Sequence, residues 1–531
     1  MSSTSDKPRS LAGGISILGI SGLICKVVGV LFRIPLVNSI GALGVAVYQQ
    51  VFPSYNLMLT ISSAGLPVAV SRMVAHHLNR EESGRARQVF RISLGLLSVL
   101  GLLSMLLMVL LAPQLARGTG TQESRLGFIM IAPSLLFVCV MSAFRGYMQG
   151  QRRMVPTAIS QLIEQVGKVA IAIPLAVLGF RRGGYAMGAA GALLGTSIAE
   201  AAALLYMLID HRMQRNVLAP AGAEALLPRR QVARSLTFTA IPITIGASIV
   251  PLAGAADSFM LVNVMSGYMA RNAALTAYGV YTGMVITMIN VPTALAMAMS
   301  SNLVPAIAGH RARGDYEGIR RESATGLRLA SAVGFPASVG MSMLAFPILN
   351  LLFGRGGDSP QDILLGAQLL EVSSLTILLF TQVQATSGIL QGLHKQRIPM
   401  YTLAAGMALK VALNYTLVRY PAIGIGGAPF ASLLCYAVSL APNLWYVAKH
   451  ARMKLDLKEI LTAPALATAL MALAVWGLQA LLGARLNTSW LWLGITMLAA
   501  AAVYFAAAFK LGALKAQDLP GKLRRKLGLH A

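Results

Sequence analysis

Residues 147–169 read YMQGQRRMVPTAISQLIEQVGKV, and residues 389–411 read ILQGLHKQRIPMYTLAAGMALKV. With a one-residue insertion, Gln149-Gly150 matches Gln391-Gly392, Pro156 matches Pro399 and Lys168 matches Lys410. Two more matches keep the same order. GAAGALLGTS from Gly188 resembles GIGGAPFASL from Gly424, and HLNREESGRARQ from His77 aligns with HRARGDYEGIRR from His310. Three matches at offsets of about 233 to 243 residues mark an internal repeat. Six apolar segments separate corresponding points. Because that number is even, the copies share one orientation, which predicts two parallel six-helix lobes related by an axis along the membrane normal.

The composition agrees with a polytopic all-α membrane protein. Of 531 residues 56% are hydrophobic and only 12% charged, against about 25% charged in soluble domains. Apolar blocks long enough to cross about 30 Å of hydrocarbon recur along the chain. Spans are expected near 11–37, 44–71, 90–112, 126–148, 157–180, 186–209, 236–262, 275–304, 327–353, 363–390, 398–418, 424–448, 459–482 and 489–509. About fourteen helices follow, with both termini on one side. The domain reading is an N-terminal lobe over 1–209, a linker over 210–235, a C-terminal lobe over 236–448, and two further helices with a basic tail over 449–531. The polar start MSSTSDKPRS leads into an apolar run longer than a signal-peptide core, so it is expected to be retained. Cys25, Cys139 and Cys435 lie in spans with no metal-ligand spacing, and apolar packing is expected of them.

A net charge of +26 raises the question of nucleic acid, and its distribution answers it. Thirty-two of the 44 Lys and Arg residues fall on the side of the termini, eight fall on the other side, and Lys26, Arg33, Lys168 and Lys410 remain within spans. The excess places both termini in the cytoplasm and the protein in the cytoplasmic membrane. Basic loops facing bilayer lipids account for the charge, so no nucleic-acid partner is expected.

Charges inside the spans are costly and point to a polar interior. Gly22, Lys26, Gly29 and Arg33 share one helical stripe in SGLICKVVGVLFRIPL, residues 21–36. Lys26 is about ten residues, roughly 15 Å, from either helix end and is expected to face an anion. Arg33 either joins it or snorkels to the interface. Asp257 follows Pro242, Gly246, Pro251 and Gly254, a pattern read as a broken helix whose freed carbonyls line a cavity or bind a cation; a counter-ion to Lys26 or Arg33 is the other reading. Glu164 and Lys168, four apart with the carboxylate first, suit a local ion pair. Glu200, Glu371 and Lys410 are weaker candidates: Glu200 for a pair with a neighbouring helix, Glu371 for a place near the outer interface, Lys410 as a neutralising cation. No phosphate loop, H-E-x-x-H or G-x-S-x-G stretch is present, which disfavours an ATP-driven pump and a metal hydrolase.

KVVGVLFRIPLVNSIGALGVAVYQQVFPSYNLMLTISSAGLPVAVSRMVA from Lys26, FRGYMQGQRRMVPTAISQLIEQ from Phe144, IPITIGASIVPLAGAADSFM from Ile241 and LQGLHKQRIPMYTLAAGMALKVALNYTLV from Leu390 carry a resemblance. They are similar to the stage V sporulation protein B and MurJ-like branch of the multidrug/oligosaccharidyl-lipid/polysaccharide exporter superfamily. That resemblance implies a V-shaped flippase for undecaprenyl-diphosphate-linked wall precursors, lipid II first among them, with basic residues of helix 1 lining the cavity. Lys26 and Arg33 match that pattern loosely. A transporter of this kind is expected to act as a monomer, to need no cofactor, and to run on Na+ or H+ coupling or on the membrane potential alone. The alternatives are a cation-coupled multidrug exporter, which would want little basicity in helix 1, and a membrane enzyme acting on a polyprenyl-diphosphate glycan, which would want a larger loop.

Overall fold

The computed structural model describes residues 11–214, 225–354, 359–453, 456 and 458–515, with the side chains of residues 11–20, 23, 26, 30, 214 and 459 outside that description. Every regular element among the described residues is helical. Hydrocarbon imposes this, because a helix satisfies its backbone N–H and C=O groups internally where no water can. The packing divides the chain into two compact units, closing and opening at Asn263 and Val264.

The first unit holds α1 (Leu11–Ser63), α2 (Leu66–Leu78), α3 (Ser83–Gly118), α4 (Ser124–Gly150), α5 (Val155–Gly167), a π-helical turn (Lys168–Ala172), α6 (Ile173–Gln214) and α7 (Arg229–Met265). Its core joins α2, α3, α4 and α6 through Val70, Val74, Val89, Leu97, Met141, Phe144, Met148 and Met207. The outer stripe of α3 exposes Val99, Leu102, Leu103, Leu106 and Leu110, as a lipid-facing helix should. Although the linker was expected to run from 210 to 235, α6 continues to Gln214 and α7 begins at Arg229. Gln88 fastens the start of α7, its side chain bonding both the N–H and the C=O of Leu227. At the other end Asn263 donates to Gly118 C=O at 2.7 Å. Between them, a Cβ on Gly65 would stand 2.2 Å from Ala240 O, so only glycine lets the α1–α2 bend meet the α7 backbone.

Among the described residues nine helices are long and apolar enough to cross a membrane, or up to eleven counting two sharply bent pairs. The sequence map has about fourteen, in part because two long helical stretches each hold two mapped spans joined at glycines of non-helical backbone. Val27–Leu78 and Val155–Met213 contain 52 and 59 residues, roughly 80 to 90 Å of helix, when one crossing takes about 30 Å. They bend at Gly41 (φ 69°) and at Gly183 and Gly184 (φ 70° at Gly184). The eleventh mapped span, here the 22-residue Arg397–Val418, is not among the nine.

The second unit contains α8 (Arg271–Gly279), a π turn (Val280–Val285), α9 (Ile286–Ala312), α10 (Tyr316–Met343), α11 (Ala345–Phe353), α12 (Pro360–Ser373), α13 (Leu375–Gly392), α14 (Arg397–Val418), α15 (Gly427–Ala451), α16 (Ala463–Leu482), α17 (Ala484–Thr488) and α18 (Trp490–Lys510). Chains bend by 70° between α10 and α11 and by 41° between α12 and α13. Gln382 reaches across to Leu327 O and Ser331 Oγ. The last helices dock on the same unit: Tyr504 donates to Ala332 O at 2.7 Å and Gln479 to Met343 O at 2.7 Å.

The repeat has a structural counterpart inside each unit. After α2, His77 Nδ1 meets Glu82 Oε2 at 2.6 Å; after α9, His310 Nδ1 meets Asp315 Oδ2 at 2.7 Å. Each loop folds back in the same way, with the Glu82 and Asp315 N–H groups donating to the carbonyls of His77 and His310. Arg152 and His394, three residues past the matched glutamines, both take positive φ, at 62° and 55°. The matched glycines serve one purpose. A Cβ on Gly150 would stand 2.7 Å from Val74 Cβ, and one on Gly392 2.8 Å from Ile307 Cβ. Gly146 and Gly150, and likewise Gly388 and Gly392, form small-residue ridges that allow close helix approach where lipid supplies no hydrophobic drive.

Candidate functional site

Six side chains from four helices and the π turn of the first unit form a buried polar cluster. Glu164, on α5, accepts from Lys168 Nζ at 3.1 Å and from Arg145 Nη2 at 3.3 Å. Arg145, near the end of α4, also donates through Nε to Ser160 Oγ at 3.0 Å. Lys168 opens the π turn, and its ammonium lies 3.6 Å from Glu200 Oε1 on α6. The hydroxyl of Tyr55, on α1, donates to Glu200, 3.2 Å from each carboxylate oxygen. Glu200 is 2% exposed, and the other three charged side chains 13 to 16%.

Two cations and two carboxylates balance, which makes such burial tolerable. An isolated buried ion costs several kcal/mol, whereas a paired and hydrogen-bonded set offsets that penalty. The π turn contributes directly. A local widening of the helix is a frequent device for re-aiming a side chain, and here it begins at the residue that joins the two carboxylates. With Glu164 and Glu200 as its partners, Lys168 ties α5 to α6.

The basic stripe of helix 1 runs alongside this cluster. A Cβ on Gly29 would stand 3.5 Å from Gln165 Oε1, next to Glu164 on α5. Arg33 is half-buried. The side chain of Lys26 lies outside the described residues.

Other sequence candidates fall elsewhere. Asp257 is half-buried on α7, and the expected break before it is absent: the helix runs unbroken from Arg229 to Met265 with Pro242 and Pro251 inside. Each proline removes one ladder bond and bends the helix without ending it. Glu371 and Lys410 belong to the second unit; Glu371 is exposed beside the α12–α13 bend, and Lys410 is half-buried on α14. Sequence reasoning missed Arg145, Tyr55 and Ser160. The glutamate–lysine spacing and the reading of Glu200 as pairing with a neighbouring helix signalled the cluster, and Glu200 does pair with Lys168; Arg145, Tyr55 and Ser160 carried no such signal.

The family model for polysaccharide biosynthesis proteins matches residues 11–309, more than half of the sequence. The chain belongs to the polysaccharide biosynthesis protein family. Within this family it is 26% identical to the lipid II flippase MurJ of Bacillus subtilis (strain 168), covering 98% of this chain and 99% of that protein. It is 25% identical to stage V sporulation protein B of the same organism, over 84% of this chain and 85% of the other. A MatE model matches residues 247–416 as well. Among solved structures, a lipid II flippase MurJ in an inward closed conformation superposes with a TM-score of 0.69 at 14% identity, covering 93% of this chain and 98% of that one. An inward-facing multidrug resistance MATE transporter of the MOP superfamily gives 0.67 at 15%, covering 83% and 100%. This polysaccharide biosynthesis family member therefore has the fold of MOP-superfamily transporters and is a multi-pass membrane protein.

Proposed function

We propose that the protein flips a polyprenyl-diphosphate-linked cell-wall glycan, of which lipid II is the leading candidate, from the inner to the outer leaflet of the cytoplasmic membrane by alternating access. The observation that carries this reading is the end-to-end similarity to the lipid II flippase of Bacillus subtilis, at 26% identity over 98% of the chain. The intramembrane cations of helix 1 support it. On this reading Lys26 and Arg33 recognise the diphosphate. Arginine suits phosphate through its planar fork and lysine as a point charge.

The membrane potential can drive such a step. Moving one charge through 100 mV is worth about 2.3 kcal/mol, so a head with two negative charges leaving a negative-inside cell gains roughly 4 to 5 kcal/mol. Asp257 would offset the helix 1 cations when the empty carrier returns. The excess of Lys and Arg on the side of the termini supports a cytoplasmic location for both.

The match to the MatE model favours a second reading, a cation-coupled multidrug exporter. One experiment separates them. In cells with no second flippase, depletion of the protein should remove labelled lipid II from the outer face, and Lys26→Ala and Arg33→Ala should fail to restore it. Unchanged flipping on depletion overturns the proposal; drug efflux without lipid transport supports the exporter.

A further inference from the structure

At one end of the first unit, the start of α3 and the ends of α4 and α6 enclose a cavity of about 320 Å³ lined by Arg87, Phe90, Arg91, Tyr147, Leu208, His211 and Arg212. Its wall is aromatic: Phe90 stacks on Tyr147 at 4.5 Å, and the His211 ring lies 5.0 Å from Phe90. Its rim is cationic, with Arg91 and Arg212 exposed and Arg87 half-buried. The polar cluster around Glu164 makes no use of these residues.

We propose that this cavity binds the phosphodiester headgroup of an anionic bilayer phospholipid. Three arginines supply the charge that a phosphodiester needs, with guanidinium forks suited to its oxygens. An aromatic wall beside basic residues is the composition of a membrane–water boundary. What selects a lipid over a soluble phosphate is the surface leading away from the cavity. On α3 the exposed positions after Arg91 include Gly95, Val99, Leu102 and Leu106, a stripe at four, eight, eleven and fifteen residues, with Leu103, Leu107 and Leu110 beside it. On α6 the exposed positions before Arg212 are Ile209, Leu208, Leu205 and Ile198. Both helices thus carry apolar, lipid-exposed tracks running from the cationic rim, which is the pairing an acylated anion requires.

The test uses the purified full-length chain in nonionic detergent, offered phosphatidylglycerol or phosphatidylcholine in mixed micelles, with retained lipid counted by native mass spectrometry. Phosphatidylglycerol should be retained over phosphatidylcholine. The triple variant Arg87→Gln/Arg91→Gln/Arg212→Gln should lose it by about fivefold per cation removed, while Arg320→Gln/Arg321→Gln, at the start of α10, should behave as the parent. Arg91→Gln alone, at an exposed position, should show about one fivefold step and guards against misfolding of the triple variant. Equal retention of the two lipids, equal retention by parent and Arg91→Gln, or displacement of the lipid by inorganic phosphate overturns the proposal; the last outcome would assign the cavity to a soluble anion.

Discussion

Glu81 and Gly314 occupy the same left-handed turn position, each four residues after a histidine and one before its carboxylate partner, at φ 62° and φ 69°. The first unit therefore holds a side chain in a conformation that glycine adopts without strain. Glu81→Gly should stabilise the protein, by about 1 kcal/mol if the loop is otherwise unchanged, and Gly314→Ala should destabilise it by a similar amount. No atom lies within 4 Å of a Cβ built on Gly314, so the second effect isolates the backbone term. Thermal unfolding in detergent measures both.

These loops also set a pH dependence. The hydrogen bond from His77 holds the Glu82 carboxyl below its ordinary range, and the Gly318 N–H, followed by His310, does the same for Asp315. A carboxylate with a depressed folded value contributes stability that is fully present above its unfolded value and lost as pH falls through the folded one. Glu82→Gln and Asp315→Asn should accordingly lower the melting temperature at neutral pH. The gap to the parent should close once the pH drops below the ordinary carboxylate range. A gap that persists in acid would contradict this account.

Removing one ion from the cluster should cost far more than removing a matched pair. Lys168→Met leaves Glu164 and Glu200 without their shared cation and should destabilise the protein by about 3 to 5 kcal/mol. Adding Glu200→Gln should recover part of that loss. A double-mutant cycle on melting temperature gives the coupling, and additive losses would show that Lys168 and Glu200 do not act together.

The glycine ridges allow a paired packing test. Gly150→Ala forces a methyl against Val74 Cβ and Ser71 O, at 2.7 and 2.9 Å; Gly392→Ala meets Ile307 Cβ and Val304 O at 2.8 and 2.9 Å. Each should cost about 1 to 3 kcal/mol, to similar extents, as read by thermal stability and the monodisperse yield.

Under the proposed function, Arg33→Gln should slow transport by roughly tenfold to a hundredfold, the worth of one or two charge-assisted hydrogen bonds. Its melting temperature should stay near that of the parent. Comparison with Arg33→Lys, which keeps the charge and loses the fork, separates attraction from geometry.

Helical class and repeat were legible because both rest on local pattern: apolar block length, and the matched Gln-Gly, proline and histidine positions that recur with the same loop geometry. The Glu164–Lys168 contact was legible for the same reason, being four residues apart on one helix. Its completion was not. Tyr55 and Glu200 are separated by 145 residues, and Arg145 sits in a basic stretch close to a helix end, where its charge reads as part of a loop. The course of α7 was misread, since two prolines and two glycines suggested a break that the neighbouring turns of helix absorb. The mapped spans 11–37 and 44–71 meet near Gly41, whose non-helical backbone joins them into one long helical stretch, and those at 157–180 and 186–209 meet near Gly183 and Gly184 in the same way.

All the cluster's charged members, and the tyrosine that completes it, fall between Tyr55 and Glu200. During synthesis they are all present while more than half of the 531-residue chain is still to be made, a delay of tens of seconds at ordinary elongation rates. Neutralisation of these intramembrane charges can therefore precede the arrival of the second unit, sparing the nascent first unit a long exposure of unpaired ions to lipid.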